Sequence, residues 1–219
     1  MKINAVLAAR AVWLVPTVFL NPKGRYIYGD LATIKDKYAF IKTPLDGKLP
    51  PDQKDGYRFE NGLFQSKNGP IEIIHCTLHT DGIVLETRAS TEDSEDFLVD
   101  FSTWGAKEIG LAKPDGLPIK KIYASELNFS LSKAPEFFNP ALAEFFAEVN
   151  GFTGNETQGP SAFIQFDFAT DMTRNKVTQK FTFAREVDTA AGENRYYSFA
   201  STSTKKHIAA LEKLEKLIT

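Results

Sequence analysis

The feature that most restricts how this chain can fold is an order of short signals that occurs twice. Asn-Pro stands at residues 21–22 and again at 139–140, each pair near a proline, Pro16 or Pro135, that closes an apolar run. The triplet Ala-Ser-Thr then follows at 89–91 and at 200–202. An asparagine side chain accepts a hydrogen bond from an orphaned amide of a first helical turn, and proline suits the next position because it has no amide to orphan. Both Asn-Pro pairs are therefore predicted to open helices. The apolar residues agree. Ile27, Leu31, Ile34 and Tyr38 in the first half, and Phe138, Leu142, Phe145 and Val149 in the second, recur at the four-three-four spacing of one helix face. The triplets predict two more helix starts, for one helix carrying Phe97, Phe101, Trp104 and Glu108 and another carrying Ile208, Leu211, Leu214 and Ile218.

Between these helices the hydrophobic period falls to two, as in strands with one buried face. In the first half "YAFIKT" (38–43), "GYRFENGLFQ" (56–65), "IEIIHCTLHT" (71–80) and "GIVLETRA" (82–89) read as strands, the last two joined by a hairpin turn at Asp81-Gly82. In the second, "SAFIQFDFAT" (161–170), "VTQKFTFARE" (177–186) and "RYYSFAS" (195–201) read likewise, with a short fourth strand near "GFTGN". Their inward residues are predicted to be Ile164, Phe166 and Phe168, then Phe181 and Phe183, then Tyr197 and Phe199. Tyr196 would point the other way. A strand opens each half, over residues 3–15 and 119–131, and Arg10 splits the first of these too early for a membrane anchor. The expected fold is α+β: two β-α-β(3–4)-α repeats, residues 1–111 and 119–219, joined by a Gly- and Pro-rich linker at 112–118, with an antiparallel sheet and helices on one face.

This order, carried by the helix starts at Asn21-Pro22, Asn139-Pro140, Ser90-Thr91 and Ser201-Thr202, resembles the tandem repeat of the TATA-box-binding-protein-like fold. In that family two β-α-β4-α units join into one curved sheet with helices on one side. The resemblance covers nearly the whole chain at the level of topology and implies a helix-free sheet face available for binding. The family's nucleic-acid binders present a basic face, whereas this chain has a formal charge of −2, which supplies no global attraction to phosphate.

Individual residues add candidate chemistry. Alternation along 71–79 places Ile74, Cys76 and Leu78 on one face and Ile71, Ile73, His75, Thr77 and His79 on the other. His75-Cys76-Thr77 matches the His-x-Thr of two-histidine phosphoesterases, where one imidazole is general base and the other general acid. That chemistry needs a second copy, and the remaining histidine, His207, stands in "TKKHIAAL" without it. His75 and His79 lie about 13 Å apart at a strand rise of ~3.3 Å per residue, too far to share a metal ion. Cys76, the one cysteine, excludes an internal disulfide and reads as a small core residue in a reducing compartment. Hydroxyls and cations at Ser203, Thr204, Lys205 and Lys206 could form an anion site at a helix start.

No phosphate-binding loop, dinucleotide fingerprint or nucleophile elbow is present. The expectation is a cytoplasmic, non-catalytic binding or adaptor protein without cofactor, metal or membrane. Its helix-free sheet face would take a protein or nucleic-acid partner through His75, Thr77, His79, Lys180, Thr182 and Tyr196, with self-association left open. The alternatives are a phosphoesterase-like enzyme using His75 and Thr77 and a phosphate or nucleic-acid binder at Lys205 and Lys206.

Overall fold

In the computed structural model, which describes residues 1–24, 27–44, 56–133, 144, 148, 165–169, 179–186, 189 and 193–218, the periodic segments become eight strands. These are β1 (Lys2–Leu14), β2 (Tyr57–Ser66), β3 (Gly69–His79), β4 (Gly82–Thr87), β5 (Lys120–Ser130), β6 (Gln165–Ala169), β7 (Lys180–Arg185) and β8 (Arg195–Ala200). The helices described are α1 (Thr17–Leu20), α2 (Leu31–Tyr38), α3 (Thr91–Glu108) and α4 (Thr204–Ile218), with a 3-10 turn at Ile27–Asp30 leading into α2. The class is α+β. The sheet order is β2-β3-β4-β1-β5-β8-β7-β6, and the pairs β1–β4, β2–β3, β3–β4, β6–β7 and β7–β8 are antiparallel. The chain divides into a larger unit, Val6–Glu126 with Ser201–Lys206, and a smaller one, Met1–Ala5 with Leu127–Ala200 and His207–Thr219.

In the larger unit, alternation along β1 buries Ala9, Ala11 and Trp13, and β4 adds Ile83 and Leu85. Against this face pack Leu31, Ile34 and Tyr38 of α2 and Phe97, Leu98 and Phe101 of α3. Each such large side chain contributes about 1.5–3 kcal/mol when buried. Tyr38 joins the two helices, with its ring 4.7 Å from Phe97 and 5.7 Å from Trp104. Its hydroxyl donates to Asp100 at 3.0 Å. Burial, reinforced by the Asp100 charge, pushes the Tyr38 phenol far above its ordinary range.

Two irregularities reset which residues face this core. Asn61 adopts a left-handed conformation (φ 54°) within β2, so that Phe59 before it and Phe64 after it both pack toward the core. In β3 the register against β4 shifts between Ile73 and His75. Ile73 consequently joins Cys76 and Leu78 in the core, correcting the strict alternation expected there. Cys76 is a buried free thiol, and burial pushes its pKa up to about 12.

Other expectations also change. Asn21-Pro22 does not open a helix: the Gly24 amide donates to the Asn21 carbonyl at 3.0 Å, making a turn with proline in its second position, and α2 begins at Leu31 after Asp30. The predicted strand 38–43 is reduced to one bridge, Lys42 to Glu60, because Ala39 (φ 50°) ends α2 and the Phe40 amide donates to the Lys35 carbonyl. The β3–β4 hairpin turns at Thr80-Asp81, with His79 paired to Gly82. Gly82 serves close packing instead, since a Cβ there would lie 2.2 Å from the Trp13 carbonyl oxygen. Asn139-Pro140, the stripe of Phe138, Leu142, Phe145 and Val149, the strand near "GFTGN" and Ile164 lie outside the described residues.

In the smaller unit, Leu127, Phe129, Phe183 and Leu211 are buried. Tyr196, expected on the opposite face from the core, belongs to it, with its ring 4.9 Å from Phe183 and 6.0 Å from Phe129. The cause is register: Phe183 pairs with Ser198 and Phe181 with Ala200, so the even-numbered residues of β8 share the core face and Tyr197 and Phe199 take the other. Small Ser198 leaves room for α4, whose His207 Nε2 sits 2.8 Å from the Ser198 hydroxyl. Helix α4 starts at Thr204, two residues later than Ser201-Thr202 suggested.

Candidate interaction surface

The strand registers assemble a row of charged side chains on the face of the larger unit that α2 and α3 do not cover. Glu60 of β2 lies opposite His75 of β3, His75 opposite Glu86 of β4, and Glu86 opposite Arg10 of β1. Such directly opposed residues have Cβ atoms about 4.5–5.5 Å apart. Arg10 donates through Nε to Glu86 Oε2 at 2.9 Å, and its Nη2 donates to the same oxygen. Arg58 donates through Nε to Glu60 Oε1 at 2.6 Å, and Lys42 Nζ lies 3.5 Å from Glu60 Oε2. Arg88, the residue after β4, pairs with Glu72 of β3 at 3.6 Å.

His75 stands in the middle of this row, half-buried. Burial is the main influence lowering its pKa below the ordinary histidine value; Arg58 and Arg10 act in the same direction, while Glu86 and Glu60 oppose them. Glu60 is held below the usual carboxylate range, chiefly by the hydrogen bond from Arg58. Thr77, next on the same face, is buried, and His79 is half-buried. In the smaller unit Lys180 is exposed and lies 3.5 Å from Asp167. Buried Thr182 donates to the same carboxylate at 2.5 Å. The hydrogen bonds from Thr182, then Gln165, depress the Asp167 pKa. The six residues expected to meet a partner thus divide. His75, Thr77 and His79 share one face of β3, Lys180 and Thr182 share one face of β7, and Tyr196 is a core residue.

The helix start expected to hold an anion is filled from within the chain. The Thr204 amide donates to Thr91 Oγ1 at 2.8 Å, and the Thr91 amide donates back to Thr204 Oγ1 at 2.9 Å. The Lys205 amide is directed at a carboxylate oxygen of Glu92 at 3.4 Å, and the Lys206 amide at Ser203 Oγ at 3.5 Å. Glu92 occupies the place an anion would need, while the Lys205 and Lys206 side chains extend into solvent.

Paired histidine chemistry finds no support in the arrangement of His207. Its ring is fully buried, edge-on to Phe181 at 5.7 Å, and burial lowers its pKa to about 4. The Ser198 hydroxyl donates to the Thr182 carbonyl at 2.6 Å and so accepts from the imidazole, an arrangement that joins α4 to β7 and β8 rather than activating a nucleophile. Among the described residues no group of three or more His, Cys, Asp or Glu could hold a metal ion, and no helix is long and apolar enough to cross a membrane.

Sequence reasoning missed Arg10, Arg58, Glu60 and Glu86 as parts of a surface. One signal was present: Arg10 is the one charge in the apolar run from Ala5 to Leu14, tolerated only where that strand shows one face to water. Comparison of the chain with protein-family models and with curated proteins returns no match.

Proposed function

We propose that the chain is a non-catalytic binding or adaptor protein of a reducing, cytoplasmic compartment, using the helix-free face of its sheet for a macromolecular partner. The observation that carries this reading is the charged row Lys42–Glu60–His75–Glu86–Arg10, displayed on strands whose opposite face is filled by α2 and α3. A sheet stabilised from one side has its other face available for recognition. We further propose that the chain is a tandem repeat akin to the TATA-box-binding-protein-like fold. The strand order supports this: reversing it and exchanging β1 to β4 for β5 to β8 returns the same order. The first residues of the two long helices support it as well, since Thr91 and Thr204 exchange equivalent hydrogen bonds.

Cross-linking in native lysate, with and without nuclease, tests the reading when contacts are mapped on the protein. Contacts on β1 to β4 at Arg10, Arg58 and His75 are expected. Contacts confined to the helices, or a hydrolytic activity on phosphodiesters that His75→Ala abolishes, would refute it.

A further inference from the structure

We infer that the helix-free face of the larger unit docks an acidic polypeptide segment, gripped by the outward guanidiniums of Arg10 and Arg58 with Lys42 at the rim; this rests on the sheet-face reading above. The decisive feature is depth. The carboxylate side chains are recessed, Glu86 14% and Glu60 29% exposed, whereas Arg10, Arg58 and Lys42 are 49%, 53% and 67% exposed. The row is close to balanced in charge yet layered, with anions below and cations above. An approaching partner meets the cations first.

These cations keep bonding capacity in reserve. Arg10 directs Nε and Nη2 to a single oxygen of Glu86, so its other terminal nitrogen lies outside that pair. Arg58 engages Glu60 through Nε alone. A guanidinium has five N–H donors and matches a carboxylate in a fork, so each arginine can hold a recessed carboxylate and an incoming one together. The recessed acids also fix the arginines in place, lowering the entropy lost on binding. Arg10 on β1 and Arg58 on β2 stand three strand spacings apart and two residues out of line, since Arg58 falls in the row of Val12, a separation of about 16 Å. In an extended peptide, side chains at i and i+4 lie about 13 Å apart on one face, a spacing that the long arginine side chains bring within reach of both guanidiniums.

Nucleic acid fits this face less well. Single strands are held by stacking on exposed aromatic rings. Trp13, Tyr38, Phe59, Phe97 and Phe101, five of the described aromatic residues of the larger unit, are buried in the core on the other side of the sheet.

Fluorescence anisotropy with the full-length chain tests the inference, using a glutamate-rich decapeptide, a lysine-rich decapeptide and an oligonucleotide of equal charge as probes. The acidic peptide should bind, more weakly as salt rises, and the double variant Arg10→Gln/Arg58→Gln should lose about tenfold or more in affinity. Lys37→Gln/Lys107→Gln, which removes the same charge away from this face, should leave binding unchanged, and Glu86→Gln should retain or tighten it. Thermal unfolding establishes that each variant is folded. Equal losses in both double variants, or no binding of the acidic peptide, would overturn the inference. So would tighter binding of the oligonucleotide with the same dependence on Arg10 and Arg58, although that result would leave the sheet-face reading standing. A native partner that cross-links only to the helices would remove that reading itself.

Discussion

Helices α3 and α4 both begin with threonine after a serine, Ser90-Thr91 in one and Ser203-Thr204 in the other, yet the two starts are completed by different chemistry. At α3 the Asp93 amide donates to Ser90 Oγ at 3.0 Å, and the Asp93 carboxylate accepts from the Ser90 hydroxyl at 2.6 Å. The same carboxylate receives Ser66 and Asn68 from the β2–β3 turn, at 3.0 and 2.9 Å. One acid in the first turn therefore caps the helix, suits its dipole and ties it to the sheet. At α4 the corresponding position is Lys206, whose charge is unfavourable there, and the cap is a single long contact to Ser203. Helix α4 is held instead by the Thr91–Thr204 exchange and, one turn on, by buried His207. Identical starting residues can thus lead to a locally encoded helix start or to one that depends on distant partners.

The largest expected effect tests the dependence of α4 on His207. Its folded pKa of about 4 lies below the ordinary ~6.5, so the unfolded chain binds the proton more readily. The stability of the neutral form is complete above about pH 6.5, declines as pH falls toward 4 and then levels off, a loss of roughly 3 kcal/mol. Chemical denaturation across that range should show the slope in the wild type and a clearly shallower one in His207→Gln, where the smaller contribution of His75 remains.

Asp93 should act in a different window. Burial alone would raise its pKa, but the hydrogen bonds from Ser90, Asn68 and Ser66 outweigh it and hold the group below the usual carboxylate range. Its contribution is therefore present above about pH 4 and lost as pH falls through its lower, folded pKa. Asp93→Ala should cost about 2–3 kcal/mol in equilibrium unfolding, because it removes the cap and leaves three donors without their acceptor. Loss of less than about 1 kcal/mol would mean that α3 does not rely on its local start.

The link between the two starts predicts a smaller, coupled effect. Thr91→Val or Thr204→Val should each cost about 1–2 kcal/mol by stranding a buried amide, and the double variant should fall short of their sum. Strict additivity in a double-mutant cycle would show that the exchange is not a unit. Ser203→Ala, which deletes only the long contact, should change stability by less than about 0.5 kcal/mol, whereas Ser90→Ala should exceed it clearly.

What could be read in advance follows the same division. The start of α3 was legible because its Ser90–Asp93 capping box lies within four residues, and the α3 stripe of Phe97, Phe101 and Trp104 because helical periodicity is local. Asn21-Pro22 was misread because the same dipeptide serves a turn and a helix start equally well, and only the Gly24 amide settles which. The open face was half legible: His75, Thr77 and His79 follow from alternation, but their neighbours Glu60, Glu86 and Arg10 come from three other strands, whose register has no signature in any one of them. Tyr196 was assigned to the wrong face because "RYYSFA" alternates plausibly in either phase, and a strand's two phases differ only in what it packs against.

The amino-acid order alone therefore specified the strand and helix periods, the Ser90 cap, the burial of Cys76 and an α+β class, since each depends on contacts within a turn or a pleat. Folding settled the phase of β8, the bulge that carries Ile73 into the core, the filling of the α4 start by Thr91 and Glu92, and the charged row on the open face. These all arise from register between segments far apart in the chain, where hydrogen bonding and the packing of large side chains choose among alternatives that are equivalent locally.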